Sequence, residues 1–324
     1  MRHASFLKAL LLTLALLVLA NVGVRRISRN SVPRQLLRRL ETVDRPIHVV
    51  ALGNSVVQAG FDVASFEAAT RSQGAGMAAF NAGLGASGPI PARLLGRAAL
   101  RSRAGARLLI YGGIDLFFTD QTRQPWLWTT HSGNKALVFY CEPELAAGYL
   151  DTTSWGRLAF AGASWVPMYV ERSTPWAKVE SLRRQLGSWG LPLAAVNTFG
   201  RVEDFQSLVS HNVVELAARS VAAQESLSPP VRDLLVEATG RNVRVCVVLM
   251  PLHPSRHSRL ATPEWRAYAA RLRSLLAEYG AGLINASDWI ADEQQFSDIL
   301  HLHPTGAAAF SGRLAAELPA AGFR

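Results

Sequence analysis

The chain has 324 residues, 49% hydrophobic and 18% charged, enough for a large buried core and unlike a disordered chain. Its formal net charge of +10 is unevenly placed: residues 1–40 hold eight Lys or Arg and no acid, leaving 26 (34 − 8) basic against 24 acidic residues elsewhere. A nearly neutral body without a recognition motif argues against nucleic-acid binding and puts the excess charge around an apolar segment, as at a membrane surface.

That segment, FLKALLLTLALLVLANVGV at 6–24, is almost uniformly apolar after Lys8. It is close to the shortest helix that spans a bilayer. Two fates fit it. One is an uncleaved anchor that holds the body outside the cytoplasm. The other is a signal peptide cut at the small-residue site Val18-Leu19-Ala20. The basic run over 25–39 is unusual just after a cleavage site, which favours the anchor. For an exported body it also runs against the positive-inside rule, so charge alone does not set the orientation. Residues 1–40 are therefore read as membrane segment and basic linker, and 41–324 as one domain.

Strands and helices then alternate. IHVVALG (47–53) is a β-branched apolar run closed by glycine and predicts a buried strand. An amphipathic stretch over about 58–71 follows. MAAFNAG (77–83) is the second strand, SGPIPARLLGRAALRS (87–102) contains the next helix, and RLLIYGG (107–113) is the third strand. Residues 117–240 interrupt the pattern. They hold six of the eight tryptophans (Trp126, Trp128, Trp155, Trp165, Trp176 and Trp189) and read as a largely helical insertion over the sheet. Those rings are either ordinary core or a platform on which sugars stack.

VRVCVVLMP (243–251) is the clearest buried strand. The helix after it has Thr262 as N-cap and Pro263 at its first position, and runs to about Tyr279. GLINAS (282–287) is the last strand and GAAAFSGRLAAEL (306–318) the closing helix. Apolar strands alternating with helices predict a mostly parallel sheet covered on both faces, a three-layer α/β/α domain. Of the two cysteines, Cys246 lies inside the fourth strand and reads as a buried small hydrophobe. Nothing requires it to pair with Cys141, and no zinc-ligand spacing occurs.

Parallel sheets bind ligands beyond the carboxyl ends of their strands. The residues found there are Gly53-Asn54-Ser55, the glycine-rich run 83–88, the segment 112–115 and Pro251-Leu252-His253. Ser55 also opens a helix, where backbone N–H groups favour developing negative charge. A serine needs a base to act as a nucleophile. The loop before the last helix, SDILHLHPTG (297–306), supplies Asp298 and His301. His301 would take the Ser55 proton, and Asp298 would orient the imidazole and stabilise its charged form. Plainer roles stand beside these: Ser55 as a helix cap, Asp298 as a turn former, His253 as a solvated loop residue. His303 is a second candidate base, less suited because Pro304 holds it extended. A His-Asp-His metal site would lack a fourth ligand.

With GNS at 53–55, NAGLGASG at 81–88, GGID at 112–115 and DILH at 298–301, the chain resembles the SGNH (GDSL-like) hydrolases, in particular membrane-anchored extracytoplasmic bacterial members. The resemblance covers roughly 45–116 and 243–318. It implies a flavodoxin-like core, an acyl-enzyme on Ser55, and ester hydrolysis or O-acyl (acetyl) transfer on a cell-envelope or extracellular glycan, without metal or organic cofactor. It implies an oxyanion hole from the Ser55 backbone and the loop at Gly85 and Ala86, with Asn54, Gly113, Asp115 and His253 near the substrate. Partners would be an ester-bearing glycan or another small acyl ester, the membrane through 6–24, and membrane-bound acylation or export machinery. Two positions depart from the pattern. Asn54 replaces the usual Asp, a mild change in a turn. Ile114 replaces the asparagine whose amide helps bind the oxyanion, a loss worth about 100- to 1000-fold in rate. A degenerate member serving as a binding or assembly subunit would tolerate that change.

Overall fold

The computed structural model describes residues 2–28, 32–85, 87–114 and 226–323, with single positions at 118, 149 and 158. The tryptophan-rich stretch, Cys141, Ala86 and Asp115 lie outside the described residues. The chain divides into two compact units, Met1–Arg38 with Thr130–Ala195, and Arg39–Thr129 with Val196–Arg324.

In the first unit, helix α1 (Arg2–Ser28) carries the apolar segment. Phe6–Val24 has a mean hydropathy of 2.2 and none of it is buried. Nineteen helical residues span about 28 Å, close to the thickness of a bilayer's hydrocarbon core. By length and composition the helix suits a membrane anchor or a signal sequence alike. A short helix α2 (Val32–Thr42) follows and runs over the boundary at Arg38; Leu40, in the second unit, is buried.

The second unit contains a five-stranded sheet built from β1 (Val49–Gly53), β2 (Ala79–Gly83), β3 (Leu108–Gly113), β4 (Arg244–Leu249) and β5 (Gly282–Asn285). The order is β2-β1-β3-β4-β5 and every pairing is parallel. This is the flavodoxin-type order, whose direction of winding reverses between β1 and β3. Strands buried on both faces need unbroken apolar runs, and VVALG, LLIYGG and VCVVL supply them.

One face packs helices α3 (Ser55–Gly60), α4 (Val63–Ser72) and α8 (Pro304–Glu317) over Ala51, Ile110 and Val248, with Phe66, Phe310 and Leu314 filling the layer. The other carries α5 (Pro89–Arg101) and α6 (Pro229–Gly240), where Gly96 lets Leu234 and Leu52 approach closely. Helix α7 (Pro263–Ala277) joins β4 to β5; the Thr262 hydroxyl caps it by accepting from Trp265 N at 3.2 Å.

Three elements differ from the sequence reading. The helix expected over 58–71 begins at Ser55 and breaks at Phe61, because Asp62 restarts it by accepting from Ser65 N at 2.8 Å. The closing helix starts two residues early, at Pro304, whose ring suits the first helical position. The segment 229–240, read as part of the helical insertion, is a helix as expected, α6, but belongs to the layer on the sheet. It opens on Pro229-Pro230, buries Val231, Leu234, Leu235 and Ala238, and covers the sheet. Cys246 is a free thiol buried in β4, and burial pushes its pKa up to about 12, which makes it unreactive.

Candidate active site

Ser55 stands at the carboxyl end of β1, beside the point where the strand order reverses. The turn that holds it is tight. Gly53 has φ = 150°, and a Cβ there would lie 2.3 Å from the Gly112 carbonyl oxygen. Asn54 is buried, and its Oδ1 accepts from Val56 N at 3.1 Å. That side-chain oxygen caps the turn, as its place before a helix suggests. Ser55 is half-buried, and its own N–H belongs to a first helical turn, where no intrahelical acceptor exists.

The loop between β5 and α8 returns to the same sheet edge. His301 Nε2 lies 2.8 Å from Ser55 Oγ, across 246 positions of chain. His301 Nδ1 lies 2.7 Å from Asp298 Oδ2. The other carboxylate oxygen, Oδ1, accepts from the backbone N–H groups of Leu300 at 2.7 Å and His301 at 2.8 Å. The loop is braced further by Ser297 N donating to His301 O at 2.8 Å and by His303 N donating to Gln295 O at 2.8 Å. His301 is only 2% exposed, so water competes little for the ring.

Burial of the Asp298 carboxyl raises its pKa, but the His301 ring and the backbone donors of Leu300 and His301 outweigh that and hold it below the ordinary carboxylate range. The group is therefore ionised at neutral pH. An ionised Asp298 can only accept, so Nδ1 carries the ring hydrogen. In the neutral form of the ring, Nε2 then offers its lone pair to the Ser55 hydroxyl. The three groups form one directional chain, from hydroxyl to imidazole to carboxylate, which can accept a proton from Ser55 and stabilise the imidazolium.

The remaining sequence-predicted residues spread along the same edge. Gly85 is half-buried, in the loop whose Leu84 N donates to Gly53 O at 2.9 Å and whose Ser87 Oγ donates to the same oxygen at 3.2 Å. Gly113 ends β3, and its carbonyl accepts from Met250 N at 3.0 Å. Ile114 is half-buried beside it. His253 caps a short 3₁₀ turn with Nδ1 2.8 Å from Ser255 Oγ, and its ring meets Phe296 edge-on at 5.2 Å, next to the His301 loop. His303 is exposed and caps α8, with Nδ1 3.0 Å from Thr305 Oγ1, while it is His301 that meets Ser55. A separate cavity of about 440 Å³, lined by residues 41–46, Arg103 and Ala104, lies where the chain enters β1 and β3 and touches none of these groups.

No protein-family model matches the chain, and no curated protein does. Among solved structures it is similar to a candidate acylhydrolase from Bacteroides fragilis NCTC 9343, at 9% identity and a TM-score of 0.41, over 91% of this chain and 99% of that one. It is also similar to a protein from Streptococcus pneumonia described as a candidate platelet activating factor, at 10% identity and a TM-score of 0.36, over 96% and 98% of the two chains. Both likenesses are remote, and the chemistry of the site rests on its own geometry.

Asn81 stands first in the NAGLGASG run, but its partners are not legible in the sequence, and Ser311 carries no signal there. Asn81, inside β2, donates from Nδ2 to the carbonyls of Phe61 at 2.8 Å, Val57 at 3.2 Å and Gln58 at 3.3 Å. Ser311, inside α8, is fully buried; its Oγ accepts from Asp62 N at 2.8 Å and donates to Gly60 O at 3.3 Å. A polar residue in an apolar strand or on an apolar helix face was the available clue in both cases.

Proposed function

We propose that the chain is a serine-dependent ester hydrolase or O-acyl transferase that works through an acyl-enzyme on Ser55. One observation supports this most directly: the unbroken hydrogen-bonded chain Ser55–His301–Asp298, from two distant loops, at the carboxyl edge of a parallel sheet. Ser55 Oγ attacks the ester carbonyl carbon while its proton moves to His301 Nε2. The oxyanion forms beside the first turn of α3 and the 84–88 loop. Collapse of the tetrahedral adduct breaks the bond to the alcohol, which leaves with the proton from His301. Water or a sugar hydroxyl then gives its proton to His301, attacks the acyl carbon and restores Ser55.

The substrate we propose is an acyl, chiefly acetyl, ester on a cell-envelope or extracellular glycan. In this reading residues 6–24 hold the body at the outer side of the cell membrane, close to acylation or export machinery. A second reading follows from Ile114: without a carboxamide at that position the chain would be a binding or assembly subunit.

Labelling by a serine-directed fluorophosphonate separates the two. An enzyme labels at Ser55, and loses the label in Ser55→Ala and His301→Ala while both variants stay folded. Folded wild type that takes no label and turns over no acetyl ester supports the subunit. An enzyme that strongly prefers long acyl chains would instead act on lipid esters.

A further inference from the structure

We propose that Asn81 is a positioning residue that sets the angle of the Ser55 helix and ties it to the glycine-rich loop; this rests on Ser55 acting as the nucleophile. Helix α3 has six residues, too few to be stable alone, so tertiary contacts must fix its direction. Of its last carbonyls, Val57 O accepts from Phe61 N at 2.9 Å and Gly60 O from Ser311 Oγ at 3.3 Å, which leaves the end dependent on side-chain donors. Three carbonyls at this end, those of Val57, Gln58 and Phe61, converge on the single Asn81 carboxamide nitrogen.

The other half of the same carboxamide faces the opposite way. Asn81 Oδ1 accepts from Gly83 N at 2.8 Å, at the start of the loop that carries Gly85. Helix and loop are in backbone contact there: a Cβ on Gly83 would lie 2.4 Å from Gln58 N. Asn81 itself is fixed by strand pairing with Ala51, four positions before Ser55. One rigid side chain thus joins the two segments between which the oxyanion forms. A shift of either segment would misplace the first-turn N–H of α3 relative to the reacting carbonyl. Misplacement of such donors lowers the rate of the chemical step more than binding.

The experiment compares wild type, Asn81→Leu and Asn81→Asp, with p-nitrophenyl acetate turnover, fluorophosphonate labelling and far-UV circular dichroism at a temperature where all are folded. Asn81→Leu removes every bond. Asn81→Asp removes the donor at neutral pH and restores one donor when the carboxyl is protonated. The expected result is a 10- to 100-fold loss of kcat and labelling rate in both variants, with KM within threefold of wild type. The ratio of Asn81→Asp to wild-type rate rises as pH falls from 8 to 5, and that of Asn81→Leu does not. Should Asn81→Leu fail to fold, Asn81→Asp and its pH ratio carry the decision. Variant rates within twofold of wild type, or a loss confined to KM, would overturn the inference. Wild type that takes no label at Ser55 overturns the nucleophile reading instead.

Discussion

Asp298→Asn tests the proton path most sharply, because the surroundings leave the new amide little choice. In the native loop Oδ1 accepts from two backbone N–H groups, and Oδ2 faces His301 Nδ1. An asparagine must put its oxygen on one side and its NH₂ on the other. With the oxygen towards His301, the NH₂ would oppose two N–H donors, and each hydrogen bond left unmade costs about 1–3 kcal/mol. The oxygen therefore stays on the backbone pair, and the NH₂ donates to Nδ1. The neutral ring must then carry its hydrogen on Nε2, pointing at Ser55 Oγ, and can no longer accept the hydroxyl proton. The expected loss is about 10⁴-fold in kcat, or about 5.4 kcal/mol of barrier, with KM little changed. Acetyl-ester turnover and phosphonate labelling should fall together, since both require the same deprotonation. An Asp298→Asn protein that is folded and within tenfold of wild type between pH 6 and 9 would refute the proposed role of the carboxylate.

Two further outcomes follow from the same geometry. Because the Asp298 carboxyl is held below its ordinary pKa, it contributes stability above the unfolded value of about 4, lost as pH falls through the lower folded value. The melting-temperature gap between wild type and Asp298→Asn should therefore be widest near neutrality and close in acid; a gap independent of pH would contradict this. Gly53→Ala forces a Cβ to within 2.3 Å of the Gly112 oxygen at a φ of 150°. Backbone strain and overpacking together cost about 2–6 kcal/mol, visible as a lowered urea midpoint; an unchanged midpoint would show that the β1 turn relaxes freely.

Much of this arrangement could be read from residue order alone, for a physical reason. A strand buried on both faces must be apolar throughout, so VVALG, LLIYGG and VCVVL declare themselves, and parallel pairing fixes which edge holds their following loops. Ser55, Asp298 and His301 are recognisable because each lies just outside such a segment or in the last loop. Helix α6 reads as helical but not as a layer of the framework, because its apolar stripe adjoins a long stretch without strand signals. The bracing roles of Asn81 and Ser311 are not legible in the sequence because their partners are backbone carbonyls and N–H groups, which every residue type has. The break at Phe61-Asp62 depends on one cap, and caps shift helix ends without changing the hydrophobic period.

The hydroxyl and the imidazole lie 246 positions apart in the chain and meet at 2.8 Å through the packing of the last βα loop beside the first strand. In the proposed mechanism, a fragment ending before residue 301 would lack the base that Ser55 needs.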